Sequence, residues 1–211
     1  MSVRHHGTPV PERPRRRADA ERSIARILDA AVDALAGDPD ASMAEIARRA
    51  GVVRATIYVH FPTREALLDA VTHKAIVEVA AVIEAAEPHR GDPAEALGRV
   101  VAASWRTLGR YHALVAINTQ QHGHAELRER HSSVLSALEP LIERGQADGN
   151  FRADVPVAWH LSMVLALIHA ASGELRAGRV TDTDAERALI PTVLGAVSAT
   201  RPTTPTTKAT R

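Results

Sequence analysis

Apolar residues recur three and four positions apart along most of the chain, the spacing that lines one face of an α-helix. Ile24, Ile27, Leu28, Ala31, Val32 and Leu35 follow it and predict a helix from Asp19, which Gly37 to Asp40, with Pro39, should end. The next stretch, Ser42 to Leu67, reads as two short helices around a glycine turn. Ser42 and Glu45 have the spacing of a capping box, in which the hydroxyl takes a backbone N–H and the carboxylate reaches back to the cap. Ile46 and Ala47 then face inward, Gly51 supplies the unhindered backbone of a tight turn, and Val52 plugs the angle between the helices. The second helix runs from about Arg54. Ile57 and Phe61 stand four apart and can be buried together, which leaves Arg54, Ala55, Thr56, Tyr58, Val59 and His60 on the surface a DNA groove could meet. Pro62 cannot continue that helix, and Thr63 is placed to cap the next.

Beyond Thr63, Leu67, Leu68, Val71, Ala75, Val79, Val82 and Ile83 keep one apolar stripe to about Glu87. At 1.5 Å per residue this helix is about 35 Å long, enough to link two domains. Pro88 to Pro93 breaks it. Asp92, Pro93 and Glu95 make a cap, a first-turn proline and a third-position carboxylate, opening a helix to about Arg110. Tyr111 to Gln121 is mixed and helical, Gly123 interrupts it, and Ala125 to Ala147 reads as one long helix kinked at Pro140. Asp154 and Pro156 open the next helix, apolar nearly all round from Leu161 to Ala171, so several neighbours must cover it. Thr183 to Glu186 is a second capping box, starting a last helix that Pro191 should bend. The expected organisation is a disordered basic arm over 1–18, a helix-turn-helix domain over 19–70, a helical domain over 71–199, and a disordered Thr/Pro-rich tail over 200–211.

At Arg22 to Val71 the sequence resembles the TetR family of bacterial transcriptional repressors. An apolar helix is followed by S-x-x-E-I-A-x-x-A-G-V and then T-I-Y-x-H-F-x-x-R-E-x-L-L. The resemblance implies an all-α homodimer, with an N-terminal domain on double-stranded operator DNA and a C-terminal domain that binds a small-molecule effector. It places Arg54, Ala55 and Val59 at positions that often touch base edges, and Thr56, Tyr58, His60 and Arg64 at phosphate-contact positions. Val53 departs from the family's pattern, which commonly has a small hydroxyl residue there to cap the recognition helix and touch the DNA backbone.

Composition sharpens the fold and narrows the chemistry. Aromatics are 3% of the 211 residues, so the core must be Ala, Leu, Val and Ile, and an Ala-rich apolar face favours helix over sheet. There is no cysteine, which removes disulfides, thiolate metal sites and cysteine nucleophiles and fits a reducing cytoplasm. No apolar run has the length of a membrane span, and no apolar signal core follows the basic N-terminus, so a cytoplasmic protein without a membrane partner is expected. Through Arg64 there are 11 basic against 8 acidic residues, and 15 against 17 afterwards, so the small basic excess sits with the helix-turn-helix.

His112, His122, His124 and His131 invite a metal reading, but no H-E-x-x-H or Cys pairing accompanies them. No G-x-S-x-G or phosphate loop is present, so neither catalysis nor a cofactor is expected. Large or polar side chains that interrupt the C-terminal helices, Trp105, Asn118, Gln121, His122, Trp159 and Met163, with His160 and His169, are the candidate ligand-binding set, since cavities between helices are mostly apolar with a few placed polar groups. A second reading, from another class, is a helical metal-binding or hydrolytic protein that uses its helix-turn-helix only as scaffold.

Overall fold

A computed structural model of the chain describes residues 12–199, without the side chains at 12–16, 119–121 and 124. The expected disordered segments at 1–11 and 200–211 lie outside the described residues. The described residues form helices joined by short turns, in two compact units that divide between Val71 and Thr72. That division falls inside a helix, α4, so the chain passes from one unit to the other without a loop.

The first unit holds α1 (Glu12–Gly37), α2 (Met43–Arg49), α3 (Arg54–His60) and the start of α4 (Arg64–Ala85). Here α1 begins seven residues before Asp19, so Glu12 to Ala18 are helical rather than part of a disordered arm. Exposed charge pairs line this end of the helix: Arg17 reaches Glu21 at 3.0 Å, and Arg22 pairs with Asp19. Ile27, Ala31, Val32 and Leu35 are buried as the periodicity predicts, where α1 packs on α2, and Ile46, Ala47, Ile57 and Phe61 are buried with them. Arg64 fixes the turn between α1 and α2, donating from its terminal nitrogens to the Ala41 carbonyl and, at 2.6 Å, to the Pro39 carbonyl.

In the second unit the rest of α4 joins α5 (Pro93–Leu108), α6 (His112–Gln121), α7 (His124–Arg130), α8 (Ser132–Ala147), α9 (Val157–Arg176) and α10 (Asp182–Val197). Asp92 caps α5 through the amides of Ala94 and Glu95. Arg99 and Arg144 hold the turn between α4 and α5 by its carbonyls: Arg99 donates to Ala86, Glu87 and Arg90, and Arg144 to Pro88 and His89. Two expectations are corrected here. The long helix expected over Ala125 to Ala147 is broken at His131, where ψ is 7° and the ring Nδ1 competes for the Leu127 carbonyl at 2.7 Å. The cap of α10 is Thr181, which accepts from the Asp184 amide at 3.1 Å; Thr183 falls inside the first turn.

The core of this unit is mostly aliphatic; its large buried rings are Trp105, Tyr111 and Phe151. Phe151 sits in the strap between α8 and α9, which pairs with the end of α10 through Arg152 N–H to the Val197 carbonyl (2.9 Å) and Ala199 N–H to the Asn150 carbonyl (3.0 Å). Its ring packs directly against Gly145 of α8. A Cβ there would meet ring carbons at 2.0 and 2.3 Å. His112 is buried against the Trp105 indole, ring centroids 4.4 Å apart, and among the described residues neither imidazole nitrogen has a hydrogen-bond partner.

Gly145→Ala should therefore destabilise the protein by about 1–3 kcal/mol in urea unfolding, because neither the ring nor the helix backbone has room to retreat, and Phe151→Leu should recover part of the loss. Burial pushes the His112 pKa down, against a smaller opposing pull from Asp182. Its neutral form is thus the one the fold accepts. The contribution is complete above the unfolded value of about 6.5 and is lost as pH falls from there through the folded value. The thermal midpoint should drop between pH 7 and pH 5, with a shallower drop in His112→Leu.

Candidate nucleic-acid interface and ligand cavity

The turn between α2 and α3 is a Schellman motif. Ala50 caps α2, Gly51 adopts φ +65°, Val52 N–H bonds back to the Ala47 carbonyl at 3.0 Å, and Gly51 N–H to the Arg48 carbonyl at 3.2 Å. A side chain at Gly51 would meet no neighbour, so its need is for the left-handed backbone and not for space. Ser42 Oγ accepts the Glu45 amide at 3.2 Å, but the reciprocal half of the expected capping box is absent. The Glu45 carboxylate turns instead to Arg48 at 2.7 and 2.9 Å and Arg49 at 2.8 Å, charged donors that outcompete a backbone amide. Those guanidinium hydrogen bonds, Arg48 first, hold its pKa down to about 2.

Helix α3 makes two turns. Ile57 is fully buried and Phe61, which caps its C-terminus, nearly so; every other side chain of the helix reaches its surface. Arg54, Ala55, Tyr58 and Val59 are exposed, Val59 at 77%, while Thr56 and His60 are half-buried. The Arg54 guanidinium stands over the Tyr58 ring, 5.7 Å from its centroid, and so presents a positive charge on a rigid aromatic shelf. Val53, the cap residue, makes no side-chain cap bond and is 70% exposed. Thr63 caps α4 through the Ala66 amide at 3.1 Å. Arg64 lies apart from the α3 side chains in role: both terminal nitrogens are engaged on the carbonyls of the preceding turn.

The second unit contains a cavity of about 80 Å³. Its wall is aliphatic, drawn from the Thr72–Ile83 part of α4 and from α5, α6, α8 and α9, and five residues give it polarity: Thr72, Ser104, Asn118, His131 and His169. Asn118 Nδ2 donates to Thr72 Oγ1 at 2.9 Å. The His131 and His169 rings meet edge to face, 5.3 Å between centroids.

Of the side chains singled out as ligand-binding from the sequence, Asn118 and His169 line this cavity. Trp105 is 1% exposed and belongs to the core, where its size fills the gap beside His112. Trp159 is 55% exposed on the opening turn of α9, Met163 packs at the edge of the core, and His122 pairs with Glu126 at 2.8 Å. The Gln121 side chain lies outside the described residues. Thr72 and Ser104 are small, polar and embedded in apolar helical stripes, so they carried no signal above that of a helix surface. His160 is buried, its Nε2 donating to the Arg152 carbonyl at 2.9 Å. Among the described residues no three His, Cys, Asp or Glu side chains converge as metal ligands would, and no helix is long and apolar enough to cross a membrane.

The family model described as "Bacterial regulatory proteins, tetR family" matches residues 27–71. The HTH-type transcriptional repressor LfrR of Mycolicibacterium smegmatis is 31% identical over 150 residues, 71% of this chain and 77% of that protein. The HTH-type transcriptional regulator NfxB of Pseudomonas aeruginosa is 27% identical over 171 residues, 78% of this chain and 88% of its own length. Among solved structures, that of the TetR-like regulator LfrR from Mycobacterium smegmatis in complex with proflavine superimposes with a TM-score of 0.66 at 26% identity, covering 84% of this chain and 97% of that one. A helix-turn-helix with an exposed outer face, a helical unit with an aliphatic cavity, and a relative at this identity over most of both chains have one meaning: the protein belongs to the TetR family of bacterial transcriptional regulators.

Proposed function

We propose that the protein is a repressor that leaves its operator when a small molecule fills the cavity of its second unit. The observation that carries the DNA half is the outer face of α3, where Val59, Arg54 and Tyr58 are exposed outside the buried Ile57 and Phe61. Arg54 reads a base, preferably guanine, whose major-groove edge offers two acceptors to one guanidinium. Ala55 and Val59 meet base edges by apolar contact. Thr56, Tyr58 and His60 hold phosphates, and Arg64 adds to them from Nε while its terminal nitrogens hold the Pro39 and Ala41 carbonyls. The ligand half is supported by the cavity and by the LfrR relative, which is named a repressor and was solved with proflavine.

The working form is a homodimer through α9 and α10, where α9 leaves Trp159, Ala166 and Ala170 exposed to a second copy. It acts in the cytoplasm, where its operator is, and catalyses no reaction. The relatives being transcriptional regulators, the metal-binding or hydrolytic alternative is not favoured.

Duplexes selected from a random pool give the operator on which this is tested. Arg54→Ala should lose about 1–3 kcal/mol on the selected duplex and little on unrelated DNA. An equal loss on both would remove the base-reading role. Coupling between ligand and operator is reciprocal by thermodynamic necessity. A molecule that weakens operator binding by some factor must therefore bind the operator-saturated protein more weakly by the same factor in calorimetry. Equal ligand affinities with and without operator would rule the coupling out, and a tighter ligand on the DNA complex would make it a corepressor.

A further inference from the structure

Among the described residues that line the cavity there is no Lys, Arg, Asp or Glu, and no Phe, Tyr or Trp. A permanent cation would meet neither a carboxylate nor the face of a benzene or indole ring, and stripping it of water costs several kcal/mol that nothing in the wall returns. An anion fares no better while the imidazoles are neutral, and burial pushes the His131 pKa down, with its hydrogen bond to Leu127 opposing.

Polarity in the cavity is specific in sense as well as in amount. The Asn118 amide nitrogen already donates to Thr72. His131 Nδ1 stands 2.7 Å from the Leu127 carbonyl oxygen, which can only accept, so the ring proton is on Nδ1. Nε2 is then the acceptor of the neutral ring, and no described residue donates to it. It asks for an O–H or N–H.

We propose that the cavity selects an uncharged aliphatic molecule whose hydroxyl donates to Nε2 of His131, an alcohol and not an organic cation or a carboxylate. This rests on the reading of the cavity as the effector site. The aliphatic wall, with side chains such as Val79, Ile83, Val101, Leu138 and Ile168, takes the hydrocarbon, while the Leu127 hydrogen bond orients the His131 imidazole, with the His169 ring packed against it.

The test is isothermal calorimetry on the full chain without DNA at pH 8, with four probes: 1-heptanol, its isomer hexyl methyl ether, heptanoate and heptylammonium. Heptanol should bind on the order of ten-fold tighter than the ether, which matches it in atoms but has no donor, and tighter than either ion. In His131→Phe, which keeps a ring against His169 but has no acceptor, that alcohol-to-ether ratio should fall to about one. Should that variant fail to fold, the ratio in the unaltered protein decides alone. A ratio near one there, an ion binding as tightly as the alcohol, an unchanged ratio in the variant, or no heat from any probe would each overturn the proposal. A gel shift on the selected operator is scored separately. Absence of operator binding sinks the regulator reading and leaves the calorimetric ranking of the probes standing, whereas heptanol binding without operator release upholds the ligand class and removes the coupling.

Discussion

A two-turn helix cannot hold itself in water, because so short a segment does not recover the entropy of its own nucleation. Helix α3 therefore takes its conformation from what it packs on, anchored by two side chains, Ile57 and Phe61, four residues apart. Everything that the first unit presents to solvent depends on that burial. Gly51 sets the angle at which the chain enters, the Arg64 guanidinium holds the turn on which α2 begins, and α2, on which α3 packs, is itself backed by α1 with its buried Ile27, Ala31 and Leu35. Loss of any one would not merely cost stability; it would leave α3 without a defined direction.

The second unit obeys a different constraint, scarcity of rings. With an aliphatic core, helices can approach closely, and the one phenylalanine of the strap is accommodated only because α8 has no side chain at Gly145. The same aliphatic material that fills the core also lines the cavity. A cavity of this kind cannot discriminate by many polar contacts, so its few polar atoms, and the sense in which each donates or accepts, carry what chemical discrimination there is.

How much of this was legible in the sequence follows from the range over which each feature is encoded. The helix-turn-helix is local: cap, glycine and buried pair lie within 20 residues, and the periodicity of α1 from Ile24 onward agrees with its burial. Glu12 to Ala18 gave no signal because a helix end lined by exposed charge pairs has no apolar period to detect. The break at His131 gave none because a single imidazole competing for one carbonyl leaves the apolar spacing intact. The cavity was legible only in kind. Thr72, Ser104, Asn118, His131 and His169 are brought together by α4, α5, α6, α9 and the turn before α8; Asn118 and His169 stand out as polar interruptions of apolar helices, whereas nothing at Thr72 or Ser104 distinguishes them from solvent-facing residues. Conversely Trp105 and Trp159 stand out in the sequence by size alone, which is equally well explained by a core that needed volume and a surface that tolerated it.

The outer face of α3 has one further property. Arg54, Ala55 and Val59 are exposed among the described residues, and the Arg54 cation rests on the ring of Tyr58 beside them. Replacement at these positions leaves the buried pair, the turn and the helices beneath unaffected. Under selection such a surface can change its recognition one residue at a time without passing through an unfolded ancestor, so descendants of this scaffold can diverge in what they bind while their folds remain superimposable.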